Sequence, residues 1–336
     1  MSVRLIDLAD DAVMSQVHGI LCAEGAFERP HFVPQTAAAM IATMRQQDPL
    51  ERFVLWGVWA DRRLVGATKV WLPMQDNLDT MWFEVSIHPD HRRRGHGSAA
   101  LATIVAFAQE HGRTRILTSA RYPADRAADH PYRRFAEHHG FRIGQTDLMR
   151  LLPLPVPDEV LAAFAEQARA AYAGAYRVQT FTEVPRPLWP SLCECQNRVE
   201  TEAPTGDLDF EPESLDVGSF EVRMANDREV GRLRLTSVAV DEATGEVVAY
   251  TELVLDPDIT RAQQSGTIVL PEHRGHRLGL AVKVANLVAL QAGYPQRRDV
   301  ATINAHDNPW MVGINERLGF RVVEACPSFY RILARV

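Results

Sequence analysis

Ile87-His88-Pro89-Asp90-His91-Arg92 runs on into Arg93-Arg94-Gly95-His96-Gly97-Ser98, and its pattern returns as Val269-Leu270-Pro271-Glu272-His273-Arg274. Pro89, His91, Arg92 and Gly97 recur 182 residues later as Pro271, His273, Arg274 and Gly279. A second landmark, His139-Gly140-Phe141-Arg142, recurs 179 residues later as Leu318-Gly319-Phe320-Arg321. Two landmarks in the same order, at nearly the same spacing, mark two copies of one domain. The boundary falls after Leu152, where Pro153-Leu154-Pro155-Val156-Pro157 can continue neither a helix nor a central strand. Asp158 then caps a helix through Ala173, with Leu161, Phe164, Ala165 and Ala168 at helical spacing. The expected organisation is a domain over 1–152, a linker helix over 153–175 and a second domain over 176–336.

Each copy reads alike. In the first, Phe53 to Ala60 and Leu64 to Trp71 form a hairpin around Asp61-Arg62-Arg63. Trp82 to His88 is a strand, and a helix from about His96 to His111 shows an apolar stripe of Leu101, Ile104, Val105 and Ala108. Arg115 to Ala120 is a strand, Tyr132 to Glu137 a helix, and a last strand starts at Phe141. In the second copy Leu233 to Val240 and Val247 to Leu255 form the hairpin, Thr267 to Leu270 the next strand, and Leu280 to Leu290 the helix. Val300 to Asn304 and Pro309 to Arg317 complete it. Antiparallel strands followed by alternating strands and helices imply a mixed, mostly antiparallel sheet in an α/β (by some schemes α+β) class.

The chain has 336 residues, 46% hydrophobic and 24% charged, which excludes disordered, collagen-like and coiled-coil classes. A net charge of −7 argues against a general nucleic-acid or anionic-membrane surface. Four cysteines are too few for a disulfide scaffold, and Cys193-Glu194-Cys195 has neither common zinc nor redox spacing. No metal site is expected. The first residues lack a signal-peptide run, and the longest apolar run, Gly97 to Ala108, is too short to span a bilayer. The expectation is a cytoplasmic protein with reduced thiols.

Arg92-Arg93-Arg94-Gly95-His96-Gly97-Ser98 lies between a strand and an amphipathic helix. Unpaired N–H groups at a helix start, with the positive end of its dipole, suit an anion, and glycines let the anion approach the backbone. Three arginines in an acidic chain point to a phosphate-bearing small molecule, the alternative being a solvated charge run. The match of Gly95-His96-Gly97-Ser98-Ala99-Ala100 to a dinucleotide fingerprint is weak, because Pro89 to Arg94 separate strand from glycines and the second copy loses the first glycine.

The strand, then His88-Pro89, then Arg92-x-x-Gly95-x-Gly97 at a helix start resembles the signature loop of the GNAT superfamily of acyl-CoA N-acyltransferases. Asn308-Pro309-Trp310-Met311 through Leu318-Gly319-Phe320 is similar to the superfamily's second landmark, which the first copy shows as Asp129 through Gly140-Phe141. The resemblance covers most of the chain as two tandem domains, an arrangement of the mycothiol synthase type. It implies acetyl-CoA as co-substrate and, in each domain, a splayed central strand pair flanked by helices. Coenzyme A would be held by Ile87, Arg92, Arg93, Arg94, Gly95, His96, Gly97 and Ser98 in the first copy. In the second it would be held by Val269, Arg274, Gly275, His276, Arg277, Leu278, Gly279, Leu280, Asn308 and Met311. It also implies direct transfer, with the acyl carbonyl polarised by strand N–H groups and no covalent intermediate.

Departures from the family pattern are equally legible. The usual tyrosine acid is replaced by Ala136 and Asn315, and the usual early carboxylate falls on Met81 and Gln263. Arg277 stands where glycine is usual. The second copy keeps Asn308 and gathers polar groups, so chemistry is expected there, with Glu252 as base, His306 as acid or base, and Tyr250, on the face of Glu252 by period two, as acid. The acidic stretch Glu200 to Asp207 offers Glu202 and Asp207 for an acceptor ammonium. The leading expectation is N-acetylation of a small primary amine. The competing ones are an acyl-CoA sensor without turnover and a protein-lysine acetyltransferase. A monomer and a homodimer are both compatible with the repeat.

Overall fold

The computed structural model describes residues 1–202, 206–208, 210–211, 214–305 and 309–334, without the side chains of 200, 201 and 309–311. The chain forms two compact units. Met1–Asp147, Gly206–Asp209 and Glu324–Val336 make the first, and Leu148–Thr205 with Phe210–Val323 make the second.

The first unit carries β1 (Ser2–Leu5), α1 (Asp11–Gly25), α2 (Ala37–Arg45), β2 (Glu51–Ala60), β3 (Arg63–Pro73), β4 (Thr80–Ile87), α3 (His96–Glu110), β5 (Arg115–Ser119), β6 (Tyr122–Pro123), α4 (Pro131–His138) and the start of β7 (Arg142–Pro153). Asp10 and Thr36 cap α1 and α2 through their side-chain oxygens. Asp61 and Arg62, at φ 48° and 67°, make the tight two-residue turn between β2 and β3, since positive φ at both positions matches the twist of paired strands. The strand order is β1-β2-β3-β4-β5 and then β13 (Arg321–Ile332), antiparallel except between β4 and β5. One face packs on α1 and α2 through Met14, Val17, Ile20, Met40 and Ala67. The other packs on α3 through Met81, Phe83, Leu101, Ile104, Ile116, Ala136 and Phe329.

The second unit repeats this plan with α5 (Asp158–Tyr172), β8 (Tyr176–Phe181), α6 (Trp189–Asn197), α7 (Val199–Glu202), α8 (Val217–Glu229), β9 (Leu233–Asp241), β10 (Val247–Leu255), β11 (Arg261–Val269), α9 (Leu278–Gly293), β12 (Asp299–Ala305) and α10 (Pro309–Leu318). Its strands run β8-β9-β10-β11-β12, with only the β11–β12 pair parallel. Leu253, Leu255 and Ala262 face α9.

Two features differ from the organisation read off the sequence (1–152, 153–175, 176–336). The helix expected as a linker is part of the second core. Leu161 and Ala168, with Val160 and Phe164, pack against Leu280, Ala281, Val284 and Leu287, so the apolar stripe is spent on α9. The last strand also changes sides. Glu324–Val336 completes the first unit, where Phe329 and Leu333 are core, while Leu148 onward belongs to the second. Arg29 locks this exchange, donating Nε and Nη2 to Glu324 at 3.1 and 2.9 Å, where the carboxylate is almost fully buried. Among the described residues no helix is long and apolar enough to cross a membrane, and no cluster of three metal-ligating side chains occurs.

Candidate active site

In both units the strand before the signature loop leaves its parallel neighbour. The β4–β5 ladder covers Thr80–Trp82 against Arg115–Leu117, while the β3–β4 ladder continues to Ile87. The β11–β12 ladder covers Arg261–Gln263 against Asp299–Ala301, while β10 pairs β11 out to Val269. A register shift between Thr251 and Leu253 is a bulge, which adds twist and turns β11 aside. Each wedge leaves one row of strand N–H and C=O groups outside the ladders. Such groups can pair with an added extended segment.

A single 3₁₀ turn follows each strand, Pro89–His91 and Pro271–His273, and then an alternating pair of left-handed residues. These are Arg93 (φ 61°) and Gly95 (φ 80°) in one copy, Gly275 (φ 88°) and Arg277 (φ 55°) in the other. Arg277 thus adopts the conformation that Gly95 takes at no steric cost. No side chain caps α3 or α9, so their first N–H groups converge on the turn, an anion cradle made of backbone. A Cβ at Gly95 or Gly275 would meet open space, so the cradle is accessible.

The arginines that open the two loops act as braces. Arg92 donates Nε to the Ile87 carbonyl at 3.1 Å and Nη2 to the Tyr132 hydroxyl at 2.8 Å, and lies over Phe27. Arg274 repeats the first bond with the Val269 carbonyl at 3.2 Å and gives Nη2 to Glu202 at 2.7 Å. Arg93, Arg94 and His276 are exposed. Ser98 pairs with His139 at 3.0 Å, and His96 is buried against Met1. The side chains of Leu278 and Leu280, expected at the coenzyme A loop, are core.

The β10 residues expected to do chemistry share one face, as their period requires. Tyr250 is buried and reaches over Gly266 of the splayed section, where a Cβ would collide with its hydroxyl. Glu252 has its carboxylate committed: Arg234 donates to one oxygen at 2.6 Å and Thr236 to the other at 3.0 Å. Arg234 also grips Asp227 at 2.5 Å. Burial works against the Arg234 charge, but the carboxylates of Glu252 and Asp227 raise its pKa above the ordinary value. Both oxygens of Glu252, the residue expected as base, are thus taken up by contacts within the protein. Arg223 stands beside them with Nη2 on Gln196 at 2.5 Å and its buried Nε without a partner. Burial, then the neighbouring Arg234, lowers its pKa.

Glu202 and Asp207, the pair expected for an acceptor ammonium, belong to different units. Glu202 is bound by Arg198 at 3.0 Å and by Arg274. Burial opposes its charge, but these hydrogen bonds hold the carboxyl below its ordinary range. Asp207 falls in the first unit, its N–H donating to the Gly144 carbonyl at 2.9 Å. His306 and Asn308 lie outside the described residues, as does the Met311 side chain.

On the opposite face of the second wedge is a buried polar cluster that the motif reading passed over. Lys283 of α9 is 2% exposed and donates Nζ to Asn315 Oδ1 at 3.1 Å and, more weakly, to Gln264 Oε1 at 3.5 Å. Asn315 Nδ2 donates to Asn304 Oδ1 at 2.7 Å, which Thr302 also reaches at 3.3 Å. Gln264 Nε2 donates to Thr251 Oγ1 and to the Glu252 carbonyl. Asn286, one turn along α9, binds the Leu235 and Thr251 carbonyls and leaves its buried Oδ1 without a partner. Lys283 makes no ion pair among the described residues, and burial pulls its ammonium down to about 7.

Residues 23–141, which carry the first wedge and its cradle, match the acetyltransferase (GNAT) family. The first copy is a GNAT acetyltransferase domain. Over 98% of both chains the protein is similar to a tandem GNAT protein from the clavulanic acid biosynthesis pathway, with 25% identity and a TM-score of 0.79. A GCN5-related N-acetyltransferase from Sphaerobacter thermophilus shares the fold over 98% of this chain and 95% of its own, with 15% identity and a TM-score of 0.62. No curated protein sequence matches the chain. The second unit, beyond the family match, repeats the GNAT fold.

The two GNAT copies differ where chemistry would occur. By ladder register, Tyr250 opposite Ile268 corresponds to Ala67 opposite Ser86, so the first copy has no phenol at that place. Where the second copy has Lys283, Asn286 and Asn315, the first has Leu101, Ile104 and Ala136, all in its apolar core. A sequence signal for this existed: Lys283 and Asn286 sit three apart on one face of an otherwise apolar helix.

Proposed function

We propose that the chain transfers an acyl group from acyl-CoA to the primary amine of a small molecule, with the second copy as the catalytic half. The observation that carries this reading is the coincidence of wedge, left-handed pair and uncapped helix in both units, joined in the second by Tyr250 over the splayed strand. A coenzyme A thioester, acetyl-CoA or a larger acyl-CoA, fits as donor. The amides at the starts of α3 and α9 would take its diphosphate, and the open edges of Phe83–Ile87 and Gln264–Val269 its amide-bearing arm.

An N–H of the splayed section of β11 polarises the thioester carbonyl. The neutral amine attacks, the C–N bond forms and the C–S bond breaks. Tyr250 protonates the departing thiolate and recovers a proton from the nitrogen, so no net proton is consumed. Glu252 and Arg234 act as positioning residues for the strand beneath. The first copy, with Ala67 in place of the phenol, binds acyl-CoA without turnover.

The test is amine-dependent release of free thiol across a panel of small amines, with Tyr250→Phe and Gly266→Ala beside the wild type. Both variants should lower kcat at least tenfold while leaving the KM for acyl-CoA within about twofold. Thiol release unaffected by Tyr250→Phe would refute the acid role. No thiol release with any acyl-CoA and amine would refute the transferase reading.

A further inference from the structure

We infer that the donor cleft of the second copy is built for an acyl group ending in a carboxylate, recognised by Lys283 with Asn315, Asn304 and Gln264. The inference rests on the acyl-CoA reading above and names the donor it uses.

The direction of the bound thioester follows from the fold. The anion cradle lies at the C-terminal end of β11, immediately after Val269. An arm laid along the open edge must therefore run back toward the start of the strand. Gln264 to Val269 spans about 17 Å at ~3.3 Å per residue. At its far end the wedge closes, because β11 and β12 pair again at Gln263 and Ala301. The acyl end of the thioester comes to rest at that apex.

The polar cluster sits at the same apex. Gln264 is the first residue of β11 beyond the parallel ladder, and Thr302 and Asn304 are on β12 beyond it. Lys283, with Asn315, bridges the two limbs from the α9 side. A buried ammonium whose company is two amide oxygens and the face of Phe320, 5.6 Å from its ring centroid, is electrostatically incomplete. It lacks an anion, and nothing among the described residues supplies one. An acyl carboxylate would complete it, with the amides of Asn315 and Gln264 turning donor groups to its oxygens. The first copy is the internal control. Leu101, Ile104 and Ala136 close its apex with hydrocarbon, which suits a short apolar acyl group such as acetyl. The two copies therefore differ in donor selectivity while sharing a cradle.

The test uses the full-length chain and Lys283→Met, a substitution of similar length without charge. Coenzyme A, acetyl-CoA and succinyl-CoA are titrated into both proteins by calorimetry, and thiol release is followed with the two thioesters. The first copy contributes equally to both proteins and cancels. The wild type should bind succinyl-CoA at least tenfold more tightly at one site than it binds acetyl-CoA there. Lys283→Met should abolish that preference while leaving the affinity for coenzyme A itself within about twofold. Equal affinity of the wild type for the two thioesters, or a succinyl preference that survives Lys283→Met, would overturn the donor assignment and leave the transferase reading standing. Failure of coenzyme A itself to bind would overturn both. Should Lys283→Met fail to fold, Asn315→Leu serves with the same readouts, and its outcomes carry the same meaning.

Discussion

Replacing Lys283 with methionine should make the second unit more stable, by an amount that depends on pH in a sign fixed by burial. The ammonium drops from its ordinary 10.5 to about 7 because it is desolvated. At ~1.4 kcal/mol for each tenfold in proton affinity, the full cost of burying this lysine is ~5 kcal/mol. Below about pH 7 that cost is present in full, because both folded and unfolded chains hold the proton. Between about 7 and 10.5 the unfolded chain binds the extra proton, so wild-type stability rises with pH as the cost declines. Near pH 6 the cost is close to its maximum, and near pH 9 ~2 kcal/mol remains. Methionine removes it at both pH values but leaves Asn315 Oδ1 and Gln264 Oε1 without their donor, a loss of ~1–3 kcal/mol. The variant should therefore gain ~2–4 kcal/mol near pH 6 and close to nothing near pH 9. Urea melts followed by circular dichroism, fitted with one transition per unit, give the two numbers. A gain that is the same at both pH values, or a loss larger near pH 6, would refute the reasoning. It would mean that the lysine is solvated or paired in the folded chain.

Three further outcomes follow from particular contacts. Arg29→Ala leaves the buried Glu324 carboxylate unpaired and should destabilise the first unit by ~3–5 kcal/mol, lowering the earlier or later of two melting transitions but not both. Removing residues 324–336 should unfold the first unit, at the opposite end of the chain, while α9 keeps its hydrogen-exchange protection. Arg277→Gly relieves a left-handed residue at the start of α9 and should raise stability by ~0.5–1 kcal/mol, with coenzyme A affinity unchanged within about twofold, measured by melting and calorimetry.

What the sequence disclosed and what it hid have physical causes. The cradle is local: a proline-led turn, a left-handed pair and an uncapped helix lie within ten residues, and the repeat at Pro271 to Gly279 doubled the signal. The structure keeps the loop conformation even where Arg277 replaces glycine, at φ 55° against 80° for Gly95. The exchange of last strands was invisible, since Leu148–Pro153 and Glu324–Ile332 are similar alternations and pairing partner is a tertiary property. The pairing of Glu252 with Arg234, eighteen positions earlier, has no local signal, because the two meet only across the β9–β10 ladder. Period two puts Tyr250 on the face of Glu252, but its reach over Gly266 depends on the bulge in β11. Lys283 was overlooked because a lysine in an amphipathic helix usually marks the solvent face, and only the sheet and α10 show it to be enclosed.

The proposed transfer requires that two backbone cradles receive the same diphosphate. Amide hydrogen exchange with and without coenzyme A reads them directly, at residues 95–99 and 277–281 of the full-length chain. Slowed exchange is expected in both segments on addition of coenzyme A, along with the open edges of β4 and β11. Unchanged exchange in both segments at saturating coenzyme A would contradict it.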